Sequence, residues 1–246
     1  MYHLTVTWAT AGRILRQLSH DHRTLGLVFL VPCVLLGLLR WLYSDNLHVF
    51  DTIAPALLGI FPFIIMFIIT SITTLRERTS GTLERLMAMP VGRGDIVVGY
   101  MLAFGLLAAV QATLASVVLL YVLGLDVAGP HWFLVSVAVL DALLGTALGI
   151  FVSAFARTEF QAVQFMPALI FPQILIGGLL MPLSQMPAIL EKLAYWLPLT
   201  YAIDALQAVV NVADIPSTAV RDAVVIAGFM LAAILCATLT LRRRSR

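Results

Sequence analysis

The chain has 246 residues, of which 61% are hydrophobic and 11% are charged, and its formal net charge at pH 7 is +2. A soluble domain carries roughly 25% charged residues, so this composition excludes a water-soluble globular protein and indicates an integral membrane protein. The slight positive charge gives no indication of a nucleic-acid partner. At about twenty apolar residues per helical span, five to seven spans fit and little remains for a soluble domain.

The first 23 residues are too polar to span a membrane. Trp8, Ala11, Leu15 and Leu18 recur at helical spacing, which predicts an amphipathic interfacial helix over residues 1–23. The arginines of this segment lie away from that apolar stripe. A frayed tail is the alternative interpretation. No A-x-A-like cleavage site follows the first apolar run, so we expect that run to be an uncleaved span.

Six apolar runs are long enough to cross a bilayer. The predicted fold class is therefore an all-α integral membrane protein with six transmembrane helices, forming a single domain over residues 1–246. The six predicted spans are Leu25–Tyr43, Ile53–Leu75, Ile96–Leu123, Trp132–Ala156, Val163–Met181 and Ala223–Leu241.

The positive charges divide unequally between the two sides of such a protein. Of the 15 lysines and arginines, only Arg40, Lys192 and Arg221 fall on one side; the rest fall on the side that holds both termini and residues 76–95. Positive residues are enriched in cytoplasmic loops. Both termini and the 76–95 loop are therefore predicted to be cytoplasmic.

The outer segment 182–222 is too apolar for a free loop and too interrupted for a span. We expect short helices at about 186–196 and 199–212, broken by Pro198, that dip into the outer leaflet as a re-entrant hairpin. Trp196 and Tyr201 suit the membrane interface.

The charged loop, RERTSGTLERLMAMPVGRGD at 76–95, interrupts an otherwise apolar chain. Ser80 or Thr82 is suited to cap a short helix that Pro90 ends. Leu83, Leu86 and Met87 share one face of that helix, which is typical of a docking element. A loop helix resting on lipid headgroups explains the same pattern.

The loop resembles the one that ABC type 2 export permeases place between their second and third spans. That family pattern is approximately E-x-x-x-G-T-x-E-x-L-x-x-x-P. The chain matches it at Glu77, Gly81, Thr82, Glu84, Leu86 and Pro90. The resemblance extends to the interfacial helix, the six spans and the proline-broken outer hairpin, and it favours the antibiotic and multidrug exporter branch.

The resemblance implies that the loop is a cytoplasmic coupling helix, which docks on a separate P-loop ATPase subunit. The chain itself would then hold no cofactor, with ATP and Mg²⁺ bound by that partner. Its single lysine, Lys192, lacks P-loop neighbours, which agrees with this division. The permease would work as a dimer with a second copy or a sister permease. The coupling residues would be Glu77, Gly81, Thr82, Leu83, Glu84, Arg85, Leu86, Met87 and Pro90, with a tight turn at Gly81.

Several residues within the spans are candidates for other roles. Asp141 is the only acid well inside a span, where it serves either an ion relay or, as we prefer, a structural hydrogen bond. Gly145 and Gly149 favour close helix packing within one subunit. The candidate substrate-cavity residues, which lipid or core packing explains as well, are Phe61, Met66, Phe67, Phe165, Met166 and Phe171.

The sequence favours a transport subunit of the bacterial cytoplasmic membrane that exports a hydrophobic or amphiphilic small molecule. Export of a lipid or lipid-linked glycan by the same mechanism is one alternative. An ion-driven secondary transporter that uses Asp141 is another. No arrangement typical of a catalytic centre is visible, and His20 and His22 are poorly spaced for metal binding. We therefore expect neither an enzyme nor a metal site.

Overall fold

The computed structural model describes residues 2–82 and 92–240, which form nine α-helices and no strand. A π-helical turn, Val118–Val122, extends α4, and a 3-10 turn, Leu183–Gln185, precedes α7. The helices are α1 (Tyr2–His20), α2 (His22–Leu42), α3 (Leu47–Thr79), α4 (Arg93–Val117), α5 (His131–Ser153), α6 (Glu159–Ile176), α7 (Ala188–Ala194), α8 (Pro198–Asn211) and α9 (Ser217–Thr240).

Six of the described helices are long and apolar enough to cross a membrane, namely α2, α3, α4, α5, α6 and α9. This confirms the predicted all-helical membrane fold with six spans. Helices α7 and α8 form a pair that is bent by 92°. Pro198 is the first residue of α8, where its missing N–H costs no helical hydrogen bond. The chain is thus a multi-pass membrane protein with a bent helical pair between its last two spans.

Helices α3 and α5 pack against each other at the centre of the bundle, and glycines permit their close approach. A Cβ atom added at Gly149 of α5 would lie 2.0 Å from Thr70 Oγ1 and 2.5 Å from the Phe67 carbonyl oxygen of α3. One at Gly145 would lie 2.5 Å from the Phe63 carbonyl oxygen. The predicted role of both glycines in packing within one subunit is confirmed.

Several predicted spans have different ends in the structure. Helix α3 begins at Leu47 rather than Ile53 and continues through Thr79. Helix α6 ends at Ile176 rather than Met181, because Gly177 and Gly178 terminate it. The φ angle of Gly178 is +98°, a conformation that disfavours any residue with a Cβ atom. The two glycines therefore end a helix inside a predicted span.

Helix α1 is amphipathic, but its buried face differs from the predicted stripe. Ala11, Ile14 and Leu18 are buried, whereas Trp8 is 66% exposed. The buried face packs on α4, where a Cβ atom at Gly99 would lie 2.8 Å from the Thr10 Cβ. Helix α1 therefore packs closely against the first turns of α4.

Candidate functional site

The candidate site lies at one end of the bundle, which we call the loop end. Here α1, the last turns of α3 and the first turns of α4 meet. The segment that joins α3 to α4 contains the motif predicted to couple the chain to an ATPase. Of its residues, Glu77, Gly81 and Thr82 are described by the structure. Six others lie outside the described residues: Leu83, Glu84, Arg85, Leu86, Met87 and Pro90.

The described part of the motif belongs to the end of α3. Glu77 lies within α3, and the Ser80 backbone N–H donates to the Arg76 carbonyl oxygen at 2.9 Å. Ser80 therefore ends α3. The residues that a cap by Ser80 or Thr82 would contact lie outside the described residues, so that cap stays a prediction. Gly81 has a φ angle of +75°, so the tight turn predicted at this glycine is present.

Glu77 forms a buried ion pair with Arg13 of α1. The Arg13 Nη1 atom donates to Glu77 Oε1 at 3.0 Å, and Nη2 donates to Oε2 at 2.9 Å. The Tyr100 hydroxyl of α4 donates to the same Oε2 atom. The Glu77 side chain is 6% exposed. The hydrogen bond and charge of Glu77 raise the pKa of Arg13, so the guanidinium stays charged.

The Arg13–Glu77–Tyr100 cluster connects α1 to the helices on either side of the 76–95 loop. Glu77 lies at the start of that loop, where α3 ends, and Tyr100 lies just after it, in α4. The Glu77 carboxylate accepts hydrogen bonds from both of the other residues. Bidentate guanidinium–carboxylate pairs have a fixed planar geometry, so they restrict rotation as well as distance. The cluster therefore makes α1 and the two ends of the loop one connected unit.

Two neighbours of Glu77 connect α3 to other helices. The Arg76 Nε atom donates to Glu159 Oε1 of α6 at 2.6 Å, and Nη2 donates to Oε2 at 2.8 Å. The Arg78 guanidinium donates to the Ser153 carbonyl oxygen at the end of α5. Three successive residues of α3 thus contact four different helices. Side-chain contacts therefore join the end of α3 to α1, α4, α5 and α6.

The start of α4 is fixed by its own cap. The Asp95 carboxylate accepts a hydrogen bond from the Gly92 backbone N–H at 3.0 Å. An acidic residue in the first helical turn also interacts favourably with the helix dipole. This cap sets the direction in which the chain enters α4, next to the cluster.

Sequence reasoning identified Glu77 but missed its two partners. Arg13 was assigned to the solvent side of an amphipathic helix, and Tyr100 was treated as part of an apolar span. In the sequence, Glu77 is followed by Ser80 and Gly81, where the helix ends. This local pattern does not indicate a partner 64 residues earlier in the chain. The position of Arg13 is the one indication of this contact. Arg13 directly precedes Ile14, whose side chain is buried, so it lies at the edge of the buried face of α1.

A cavity of about 520 Å³ lies beside the cluster, between α1, α2 and α3. Its aliphatic walls come from Ile14, Leu18, Leu27, Val28, Val31, Ile65, Ile69 and Ile72. Its polar end is formed by Arg13, Gln17, Asp21, Thr24, Thr73, Arg76, Glu77, Ser80 and Thr82. The volume lies within the range of about 300–1,000 Å³ that is typical of ligand pockets.

Asp21 lies at the polar end of this cavity, at the junction of α1 and α2. Its carboxylate accepts hydrogen bonds from the Thr24 hydroxyl at 2.6 Å and from the Thr24 backbone N–H at 3.1 Å. These bonds lower the pKa of Asp21, and the charge of Arg76 lowers it further. Asp21 is therefore a carboxylate that caps α2 and faces the Arg76 charge.

The six predicted substrate-cavity residues are not brought together around this cavity. Met66 and Phe67 are fully buried in the core between helices. Phe61, Phe165 and Met166 are partly buried, and Phe171 is 51% exposed on α6. Lining of a substrate path by these side chains stays a prediction.

Asp141 is fully buried in α5, as expected for an acid inside a span. A Cβ atom at Gly59 of α3 would lie 3.3 Å from Asp141 Oδ2. Neither Asp141 oxygen has a hydrogen-bond partner within the part of the chain that the structure describes. The structural hydrogen bond that we preferred is thus not found there. The same described residues contain no group of three or more potential metal ligands.

Comparison with known proteins identifies the family. The model of the ABC-2 type transporter family matches residues 5–211. The chain belongs to this family. That match includes most of α1, the loop-end cluster and the bent helical pair, so the described site lies within the part that matches the ABC-2 family.

Three relatives illustrate the range of the family. The chain is 29% identical over 164 residues to "ABC transporter G family member 20" of Dictyostelium discoideum, which covers 67% of this chain and 22% of the relative. It is 26% identical over 165 residues to "Probable multidrug ABC transporter permease YbhS" of Escherichia coli, which covers 67% of this chain and 44% of the relative. It is 25% identical over 160 residues to "Linearmycin resistance permease protein LnrN" of Bacillus subtilis, which covers 65% of this chain and 40% of the relative. The chain spans less than half the length of each.

Proposed function

We propose that this chain is the transmembrane permease subunit of an ATP-driven exporter, with ATP hydrolysed by a separate P-loop subunit. The family membership supports a membrane transport component rather than an enzyme. In this proposal ATP and Mg²⁺ are bound by the partner, and the chain itself holds no cofactor. The 76–95 loop docks on that partner and transmits its motion to the spans.

The observation that carries the proposal is the Arg13–Glu77–Tyr100 cluster. A docking loop transmits force only if its ends are firmly attached to the helices that must move. The cluster fastens both ends to α1, and α1 leads directly into α2 through the Asp21 cap. A displacement of the loop would therefore tilt α1, α3 and α4 together, which is a rigid-body route from docking surface to spans.

The distribution of positive charge supports a cytoplasmic position for the loop and both termini. The loop end carries Arg13, Arg76 and Arg78, whereas the opposite end carries Lys192 and Arg221. Positive residues favour the cytoplasmic side. We place the chain in the cytoplasmic membrane of a bacterium, as a dimer with a second copy or a sister permease.

We propose that the transported molecule is hydrophobic or amphiphilic and resembles a drug or antibiotic. The printed names of two relatives, a probable multidrug permease and a linearmycin resistance permease, support this class. The exposed apolar side chains of α6, which include Phe160 and Phe171, are available for a transport path or a dimer contact.

The test is co-purification of the chain from its native membranes in mild detergent. The loop variant combines Glu84→Arg with Leu86→Asp, and the matched control combines Glu191→Arg with Leu190→Asp on α7. We expect a stoichiometric P-loop ATPase with the wild type and the control, and its loss from the loop variant. Recovery of the wild type without an ATPase, where a known ABC complex stays intact, would overturn the proposal.

The ion-driven alternative depends on Asp141, and the geometry does not favour it. A proton relay needs a second polar group within hydrogen-bonding distance. Among the described residues neither Asp141 oxygen has one. The same alternative also leaves the matched loop motif without a role.

A further inference from the structure

The cavity between α1, α2 and α3 has an ordered change of polarity along its length. Along α3 the lining runs from Ile65, Ile69 and Ile72 to Arg76 and Ser80. Ile65 and Ser80 are separated by fifteen helical rises, a distance of about 22 Å. Along α3 the lining thus changes from aliphatic to polar, and α1 contributes both kinds of side chain at the polar end.

Helix α2 runs antiparallel to α3 in this region and shows the same gradient. Its lining begins with Thr24, near the Asp21 cap, and continues to Leu27, Val28 and Val31 deeper in the span. Both walls therefore change from polar to aliphatic at the same level. Such a cavity fits an elongated molecule that has a polar head and a hydrocarbon body.

The mouth of the cavity reaches the side of the bundle. Leu27 lines the cavity and is 62% exposed, and Ile65, Ile69 and Ile72 are partly exposed. These residues belong to helices that cross the membrane. An occupant can therefore enter laterally from the bilayer, with its head at the level where the spans end.

The charges at the polar end select the kind of head group. The lining contains two guanidiniums, Arg13 and Arg76, and two carboxylates, Asp21 and Glu77. Arg13 and Glu77 neutralise each other directly. Arg76 pairs with Glu159 of α6 through its Nε and Nη2 atoms, and its Nη1 atom has no hydrogen bond to another described residue. Arg76 and Asp21 are close enough for their charges to interact, and each belongs to a different wall. A head with one positive and one negative group would match both, whereas an anionic head would also face a carboxylate.

We propose that this cavity is a binding site for one zwitterionic phospholipid of the surrounding bilayer. Its phosphate lies against Arg76, its ammonium group lies against Asp21, and an acyl chain lies between Val31 and Ile69. The site stands on the cavity alone and does not depend on ATP coupling.

The test is native mass spectrometry of the full chain in mild detergent, equilibrated with phosphatidylethanolamine or phosphatidylglycerol of identical acyl chains. We expect one retained phosphatidylethanolamine per chain and at least fivefold weaker retention of phosphatidylglycerol. Ile69→Trp fills the cavity and should lower retention at least tenfold. Leu235→Trp, on the exposed face of α9, adds the same indole outside the cavity and should leave retention unchanged.

A second variant tests the head-group assignment and guards against misfolding of the first. Asp21→Asn removes the carboxylate without changing its shape, so the preference for phosphatidylethanolamine should disappear while total retention of lipid persists. Equal retention by the wild type and Ile69→Trp, or equal retention of both lipids by the wild type, would overturn the proposal. A change in oligomeric mass with Ile69→Trp, at constant lipid occupancy, would show that another copy of the chain covers this face and would also overturn it.

Discussion

Arg13 and Glu77 lie 64 residues apart in the sequence, yet two hydrogen bonds of 3.0 and 2.9 Å join their side chains. Glu77 is 6% exposed and Arg13 is 35% exposed. The pair connects α1 to a residue of the predicted coupling loop, at the end of α3. Loss of Glu77 leaves the partly buried Arg13 guanidinium unpaired, and loss of Arg13 leaves a carboxylate with little access to water.

Glu77→Gln should therefore destabilise the protein. The amide cannot match both guanidinium N–H donors, and we expect a loss of about 1–3 kcal/mol in the free energy of unfolding. The measurement is reversible denaturation in mixed micelles. Glu159→Gln is the matched control, because the Arg76–Glu159 pair is exposed on both sides. That change should cost about 0–1 kcal/mol. Equal effects would show that burial of the Glu77 pair has no energetic consequence.

Gly149→Ala should weaken the packing of α5 on α3. Its added methyl group would lie 2.5 Å from the Phe67 carbonyl oxygen, and a backbone atom within α3 has little freedom to move away. We expect a loss of about 1–3 kcal/mol, measured in the same micelles. Gly228→Ala, which meets no atom within 4 Å, should be neutral or slightly stabilising. An unchanged Gly149→Ala protein would contradict the close α3–α5 contact.

Asp141→Asn should alter stability by less than about 1 kcal/mol. The two side chains have the same shape, and the carboxyl oxygens have no hydrogen-bond partner among the described residues that the change could break. The unfolding free energy measures this directly, and export tests the role of the acid. A large loss of stability would reveal a partner for the carboxyl group, and loss of export alone would indicate a proton-dependent step.

Gly81→Ala should change the direction in which the chain leaves α3. The φ angle of +75° costs a residue with a Cβ atom about 1–2 kcal/mol, although no neighbouring atom obstructs the methyl group. We expect weaker recovery of the ATPase in the co-purification, with stability reduced by about that amount. Gly228→Ala again serves as the control. Full ATPase recovery would show that the turn has no part in docking.

The spans were predictable because hydropathy over about twenty residues is a strong signal. The first and last residues of the spans were less predictable. Helix α3 extends through Arg76, Glu77 and Arg78, since backbone hydrogen bonding continues after hydrocarbon character stops. Helix α6 ends early at Gly177, because a glycine pair inside an apolar run does not change its hydropathy.

The candidate site was predictable only where it is local in sequence. The turn at Gly81 follows from its neighbours, and the structure contains it. The contacts of Glu77 with Arg13 and Tyr100 depend on how three helices pack, which one sequence does not specify. For the same reason, the arginine of an amphipathic helix was interpreted as solvent-facing although it pairs with a buried acid.

Helix α3 contains 33 residues and is therefore about 50 Å long, whereas the hydrocarbon core of a bilayer is about 30 Å thick. Pro62 lies within this helix and removes one of its internal hydrogen bonds. The helical segment from Pro62 to Ser80 is about 27 Å long, so a tilt of about 10° at Pro62 would displace Ser80 by about 5 Å. Because α3 is long, a small change of its angle inside the membrane would move its end at the 76–95 loop by nearly the pitch of one helical turn.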